Sequence, residues 1–219
     1  MEASIDISHF LAGAVLALSF VLLYQARLFA LFNAFAMQST ALAMAVGWQA
    51  YSQGASHLYI TAALALVMKG MLIPGALRWV VVKMGIHRQI DPVVSVNLTL
   101  LLGVFLVILS IMVVFPVARM EGGIAREDLA FALSIILLGM LMMITRRNAI
   151  GQVIGFMSLE NGLILAATGA KGMPLVVEIS VAFSVLIAFF VFGVFIFRIR
   201  EHFDTIDVDA LSEMRGDAE

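Results

Sequence analysis

Long apolar runs, each of about 20 residues and separated by short polar breaks, constrain the fold of this chain more than any other feature. A helix of that length can cross the hydrocarbon core of a bilayer. Of the 219 residues, 63% are hydrophobic and 13% are charged. Soluble domains have roughly 45–50% apolar and 25% charged residues. The sequence therefore predicts an all-α, polytopic integral membrane helix bundle.

The apolar runs predict about seven transmembrane helices. Their ranges are 8–25, 28–50, 58–82, 93–117, 128–146, 149–170 and 174–198. Most of the breaks contain glycine, proline or charged residues, but the first break, between Gln25 and Arg27, is weak. Six or eight helices are therefore the alternatives to seven.

The basic residues orient the predicted bundle. With seven spans, one side of the membrane receives only Arg119, Arg126 and Lys171, and the other receives Arg27, Arg78, Lys83, Arg88, Arg146, Arg147, Arg198, Arg200 and Arg215. Loops rich in lysine and arginine stay in the cytoplasm. We therefore expect a multi-pass membrane protein with the N-terminus outside and the C-terminus in the cytoplasm.

The composition argues against several kinds of site. Without cysteine the chain can form neither disulfides nor thiolate-bound iron–sulfur clusters. The four histidines show no spacing typical of paired metal ligands, so we expect no metal or other cofactor on this chain. The net charge of −2 does not indicate a nucleic-acid partner. The loops are too short for a soluble catalytic domain, and no internal repeat of the kind found in secondary transporters is evident.

Lys69 lies near the centre of the third predicted span. At 100° per residue, Ala62, Ala65 and Ala76 share its side of the helix, and small residues mark faces where membrane helices approach closely. Pro74 has no N–H for the carbonyl of Gly70, so we predict a helix break beside the lysine. The lysine is interpreted as a functional group, with a structural ion pair as the alternative.

Glu160 lies in the middle of the sixth predicted span. A carboxylate at that depth costs about 3 kcal/mol on insertion scales unless it is paired, hydrated or protonated. Gly151, Gly155 and Gly162 form a stripe typical of helix packing, and Glu160 projects from the opposite side. We therefore expect Glu160 to face another subunit rather than this chain's own helices. The alternative is a protonated glutamate with a local hydrogen bond.

Glu178 lies near the start of the seventh predicted span, one turn after Pro174. A carboxylate at that place also gains from the positive end of the helix dipole. It is a candidate for the same function as Glu160 and Lys69, and equally for an ordinary acid at a helix start.

The chain resembles the hydrogenase-4 component E family. The resemblance rests on Arg147 and Asn148, the segments 155–162 (GFMSLENG) and 174–179 (PLVVEI), and the lysine and proline of 69–74. The C-terminal third also resembles the K subunit of complex I and the C subunit of multisubunit cation/proton antiporters. This divides the chain into an N-terminal four-helix membrane part (1–126), a K-subunit-like three-helix part (127–200) and a cytoplasmic tail (201–219).

The resemblance implies a non-catalytic membrane subunit of a NiFe-hydrogenase complex such as a formate hydrogenlyase, located in a bacterial or archaeal inner (cell) membrane. Nickel–iron and iron–sulfur centres would then be bound by partner subunits, and the neighbours in the bilayer would be antiporter-like subunits and the membrane subunit of the hydrogenase arm. Glu160 matches the first glutamate of the K subunit. The position of its second glutamate corresponds to Ala188 here, so Glu178 does not directly inherit that role.

Three hypotheses follow. In the first, Glu160, Lys69 and Glu178 form a proton relay that couples the hydrogenase arm to ion translocation. In the second, the chain is a structural adapter whose buried charges are inert. In the third, it belongs to a multisubunit cation/proton antiporter or another complex I-like assembly without a hydrogenase.

Overall fold

The computed structural model describes residues 2–83, 94–117 and 126–169, and every regular element within these ranges is a helix. Seven α-helices and one π-helix follow each other within these ranges. They are α1 (Glu2–Tyr24), α2 (Leu28–Gln53), α3 (Ser56–Leu64), a π-helix (Ala65–Leu72), α4 (Ile73–Lys83), α5 (Val96–Val117), α6 (Arg126–Thr145) and α7 (Ala149–Gly169).

Six helical segments of the described chain are long and apolar enough to cross a membrane. They are Asp6–Tyr24, Leu28–Gln53, Ser56–Lys83, Val96–Pro116, Asp128–Thr145 and Ala149–Thr168. The third contains α3, the π-helix and α4 as one continuous helix. These segments coincide with the first six predicted spans, whereas the predicted seventh span, 174–198, lies outside the described residues.

The chain reverses between α2 and α3 at Gly54, whose φ of 64° lies in the left-handed region. Glycine adopts this conformation without the steric cost that a Cβ would bring. The amide N–H groups of Gly54 and Ala55 donate to the carbonyls of Tyr51 and Ala50, which closes the end of α2. The helix therefore ends with its last carbonyls satisfied, and a tight turn leads into α3.

The spans alternate in direction, so the bundle has two ends. The Asp128 end contains the beginnings of α1 and α6 and the ends of α2 and α7, and the Arg146 end contains the opposite termini of these helices. Hydrogen bonds from Gln53 to the Thr168 carbonyl at the first end, and from Arg146 to the Leu22 and Leu23 carbonyls at the second, fix this arrangement.

Helices α6 and α7 pack closely because glycine lies at their contact. A Cβ on Gly139 would come within 2.6 Å of the Leu159 amide nitrogen, and one on Gly162 within 2.9 Å of the Ala132 carbonyl oxygen. Gly155 faces α6 in the same way, whereas Gly151 packs against the side chains of the preceding turn. The backbones thus approach at distances that any larger residue would prevent.

Buried apolar residues form two layers, one toward each end. The Arg146-end layer consists of Leu22, Leu23, Leu28, Leu31, Phe32, Ala34, Phe35, Ile73, Leu77, Val81, Leu138, Leu141, Met142, Ile154 and Met157. The Asp128-end layer consists of Ala12, Val15, Ala41, Leu42, Ala45, Val46, Ala50, Leu58, Ala132, Ile135, Ile164 and Leu165. Along α1, α2 and α7, polar residues occupy the turn between the two layers.

The helix does not break at Pro74, contrary to the sequence prediction. Helix α4 includes Pro74 and continues to Lys83, and the irregularity is the π-helix Ala65–Leu72 immediately before it. The Ile73 N–H donates to the Met68 carbonyl, five residues back, so the wider turn persists up to the residue before the proline. The chain accommodates the missing proline N–H without leaving the helical path.

Candidate functional site: a buried polar layer

Lys69 and Glu160 form an ion pair inside the bundle. The Lys69 Nζ lies 3.1 Å from the Glu160 Oε2. Lys69 is 1% and Glu160 2% exposed to solvent, so the described part of the chain encloses both charges almost completely. Two opposite charges at this distance in an apolar region attract each other strongly, which offsets much of the cost of removing them from water.

The π-helix supplies Lys69, and α7 supplies Glu160. The two elements have little direct backbone packing, because α2 lies beside both of them. The π-helix packs beside α2 at Gly70, where a Cβ would lie 3.4 Å from the Thr40 hydroxyl. The long lysine side chain then extends past α2 to reach α7. π-Helical turns are rare and frequently occur at functional sites.

A chain of hydrogen bonds continues from Lys69 through two amides. Lys69 Nζ donates to Asn161 Oδ1 at 3.0 Å, and Asn161 Nδ2 donates to Gln38 Oε1 at 3.1 Å. Gln38 Nε2 then donates to the hydroxyls of Ser19 at 2.7 Å and Ser158 at 2.8 Å. We call these seven buried residues the polar layer: Ser19, Gln38, Ser39, Lys69, Ser158, Glu160 and Asn161. It links α1, α2, the π-helix and α7.

The two apolar layers separate the polar layer from both ends of the bundle. On α7, Ile154 and Met157 precede the polar residues, and Ile164 and Leu165 follow them. On α2, Phe35 precedes Gln38, and Leu42 follows it in the same manner. Among the described residues, apolar side chains therefore lie on both sides of the charged pair along the axis of the bundle.

The expectation that Glu160 faces another subunit is wrong. The remaining helices of this chain surround the carboxylate, and its cation comes from the third span. The direction that a helical wheel gives for Glu160 does not reveal which helix lies there. Gln38 is not among the site residues that the sequence predicted, although a polar amide within a long apolar run is a signal that could have identified it.

The other predicted site residues lie at some distance from this pair or outside the described chain. Gly155 and Gly162 face α6, as described above, on the side of α7 that packs against its neighbour. Pro74 lies one turn after Lys69 in the third span. Glu178 lies outside the described residues, so its proposed part in a relay stays a prediction.

A second polar group closes the Asp128 end. His9 Nε2 lies 3.9 Å from Asp128 Oδ1, and Gln49 Nε2 donates to Asp128 Oδ2 at 3.3 Å. Gln53 Nε2 donates to the Gln49 side-chain oxygen at 2.7 Å. The Asp128-end apolar layer separates this group from Lys69 and Glu160.

At the Arg146 end, the Arg146 guanidinium is 3% exposed and donates from Nη2 to the carbonyls that end α1, at 3.3 Å for Leu22 and 2.7 Å for Leu23. Burial lowers the pKa of Arg146 from its usual value. The arginine thereby satisfies carbonyls that have no partner within their own helix. Its hydrogen bonds connect the end of α1 to the α6–α7 turn.

The described residues contain no group of three or more histidine, cysteine, aspartate or glutamate side chains that could hold a metal ion. The polar layer instead offers one carboxylate, one ammonium group and neutral hydrogen-bonding groups. Such a set can bind, hold or release a proton. A nucleophile next to a base, as acyl or phosphoryl transfer requires, is not found among the layer's residues.

Comparison with known proteins identifies hydrogenase-4 component E as a homologue of this chain. The Escherichia coli K12 protein is 29% identical over 164 residues, which cover 74% of this chain and 76% of the relative. The same protein from Shigella flexneri matches equally. An uncharacterized protein of Mycobacterium tuberculosis, Rv0085, is 29% identical over 210 residues, 94% of each chain. No protein-family model and no solved structure matches.

The homology and the helices together support a multi-pass membrane protein related to a hydrogenase component. The aligned relatives span most of this chain, so the likeness is not confined to a single helix pair.

Proposed function

We propose that this chain is a non-catalytic membrane subunit of a NiFe-hydrogenase complex of the formate hydrogenlyase kind, and that Lys69 and Glu160 take part in proton translocation. The ion pair at 3.1 Å, enclosed at mid-depth in the bundle, is the observation that carries the proposal. Ionisable residues inside membrane spans are costly and usually mark ion or proton pathways. Homology to hydrogenase-4 component E supplies the class of complex.

In this proposal, Glu160 accepts and releases the proton, and Lys69 provides the compensating charge. When Glu160 is ionised, the ammonium stabilises it. When a proton arrives on Glu160, the attraction between the two side chains weakens. Protonation of Glu160 thereby changes the net charge of the buried pair.

The apolar layers favour a proton path that does not start directly at either membrane surface. Direct exchange with either membrane surface would have to pass the residues of the Arg146-end or the Asp128-end layer. A path within the membrane plane, from a neighbouring subunit at the depth of the polar layer, avoids both layers. We therefore propose antiporter-like membrane subunits and the membrane subunit of the hydrogenase arm as the neighbours, and Glu178 as a further group on the path.

A structural adapter is the second candidate, and the completeness of the hydrogen-bond network favours it. Lys69, Asn161 and Gln38 all have partners at 2.7–3.1 Å, as a purely structural polar core would require. In that case the charges fix the packing of the helices and never change protonation. A variant that neutralises Glu160 would then assemble and function normally.

Copurification tests the proposed class of complex. The tagged protein is extracted from its native membrane with a mild detergent, and the proteins bound to it are identified. We expect a NiFe large subunit and iron–sulfur proteins. Antiporter-like subunits without a hydrogenase would favour a cation/proton antiporter or another complex I-like assembly, and a lone monodisperse chain would overturn the proposal.

A further inference from the structure

The Lys69 ammonium contacts two acceptors, one charged and one neutral. Glu160 Oε2 lies 3.1 Å from Nζ, and Asn161 Oδ1 lies 3.0 Å from it. An ammonium group has three donors, so it can engage both oxygens at once. The neutral contact satisfies a donor that the carboxylate does not engage, and it remains available when Glu160 loses its charge.

The hydrogen bonds around Asn161 fix which of its amide atoms faces Lys69. Asn161 Nδ2 donates to Gln38 Oε1 and, at 3.4 Å, to the Ser39 hydroxyl oxygen, which leaves Oδ1 for the ammonium. Rotating the Asn161 amide by 180° would direct its NH₂ group at the Lys69 ammonium and its oxygen at the Gln38 oxygen. Both contacts would be repulsive, so the orientation with Oδ1 toward Lys69 is the one that accommodates an ammonium group there.

Gln38 fixes the orientation of Asn161 in turn. Its Nε2 donates to the Ser19 and Ser158 hydroxyls, and the Ser19 hydroxyl donates to the Val15 carbonyl at 2.9 Å. The chain of donors thus runs in one direction, from Lys69 through Asn161 and Gln38 to a backbone carbonyl of α1. A backbone carbonyl can only accept a hydrogen bond. The chain of donors that ends on α1 therefore fixes the amide orientation in which Asn161 Oδ1 faces Lys69.

We propose that Asn161, held by Gln38, is a second binding position for the Lys69 ammonium, which keeps the lysine charged and inside the bundle while Glu160 is protonated. The inference rests on the proposed function, in which Glu160 changes protonation. It makes Asn161 and Gln38 positioning residues. A buried ammonium without any acceptor would otherwise have to lose its proton or leave the core.

Dipolar NMR on the detergent-extracted assembly tests this position directly. The chain has only three lysines, Lys69, Lys83 and Lys171, and four asparagines, Asn33, Asn97, Asn148 and Asn161. Lysine labelled with ¹⁵N at Nζ and asparagine labelled with ¹³C at Cγ should give a close nitrogen–carbon contact from Lys69 and Asn161. The contact is assigned to Lys69 if it is lost in Lys69→Arg. It should persist in Asn97→Leu, which removes a different asparagine.

The decisive sample is Glu160→Gln. We expect the Lys69–Asn161 contact to persist, with the ¹⁵N shift of an ammonium group. A lost contact, or the shift of a neutral amine, would overturn the inference.

If Glu160→Gln does not assemble, Gln38→Leu in an otherwise unchanged chain takes its place. Gln38→Leu should weaken the Lys69–Asn161 contact at least twofold. The control Asn33→Leu, on the exposed side of α2, should leave the contact unchanged. An undiminished contact in Gln38→Leu would contradict the role of Gln38.

Proton translocation by the same Glu160→Gln assembly is measured separately. If translocation is normal while the contact persists, the proposed function fails and the second position survives as a structural device. If translocation is lost and the contact with it, the proposed function stands and the inference fails. The two claims therefore have separate readouts.

Discussion

The Lys69 ammonium nitrogen and the Glu160 carboxylate oxygen lie 3.1 Å apart, and the two residues come from helices that barely touch. The pair therefore bridges a gap that backbone packing leaves open. Lys69 also donates to a neutral acceptor, Asn161, which remains in place when the charge of Glu160 is removed.

We expect Lys69→Met to destabilise the protein more than Glu160→Gln. Removing the lysine leaves a buried carboxylate without its cation, which typically costs about 3–5 kcal/mol. Removing the carboxylate's charge leaves the ammonium on Asn161. The check is the thermal midpoint of the detergent-solubilised protein. The double variant should recover part of the loss seen in Lys69→Met, since no buried charge remains, and additive losses would contradict the coupling of the pair.

Replacement of glycine at the α6–α7 contact should impair packing. In Gly162→Ala, the new methyl group would lie 2.9 Å from the Ala132 carbonyl oxygen and from the Ile136 amide nitrogen. We expect a loss of about 1–3 kcal/mol, as for other overpacked cores. The matched control is Gly75→Ala in α4, where a Cβ meets no atom within 4 Å. Equal thermal midpoints for the two variants would show that the helices can separate without cost.

The two neighbouring arginines of the α6–α7 turn should contribute very differently to the stability of the protein. In Arg146→Gln, the charged donor to the Leu22 and Leu23 carbonyls is lost, and hydrogen bonds to charged groups contribute about 1.5–3 kcal/mol. Arg147 is exposed, so Arg147→Gln should change the unfolding temperature little. Protease sensitivity at the end of α1 provides a local measurement. Equally increased cleavage in both variants would argue against a specific stabilisation of α1 by the hydrogen bonds of Arg146.

The sequence predicted the membrane class and the six described spans because both depend on local composition. Apolar runs bounded by glycine and charges specify helices whatever surrounds them, as α5 shows with its uninterrupted hydrophobic stretch. Lys69 and Glu160 stood out for the same reason, since a charge in an apolar run is costly in any packing arrangement.

The sequence did not predict that this chain's own helices enclose these charges, because the enclosure depends on how the helices assemble. A wheel drawn for α7 alone directed Glu160 away from the glycines, and only the packed bundle shows that the third span delivers Lys69 to it. The π-helix also alters the direction of residues 65–72, for which 100° per residue is the wrong increment. Gln38 was not identified as a site residue because a single amide has no spacing pattern.

The most direct test of the central claim compares proton translocation with hydrogen turnover in membrane vesicles carrying Glu160→Gln. The control is Asp6→Asn, which alters an exposed acid at the start of α1. We predict that Glu160→Gln assembles and turns over hydrogen but translocates protons at less than about a tenth of the unmodified rate, as expected when a relay group with a barrier contribution of about 1.4 kcal/mol or more is lost. Asp6→Asn should behave as the unmodified protein. Full translocation by an assembled Glu160→Gln variant would contradict the account and leave the structural adapter in its place.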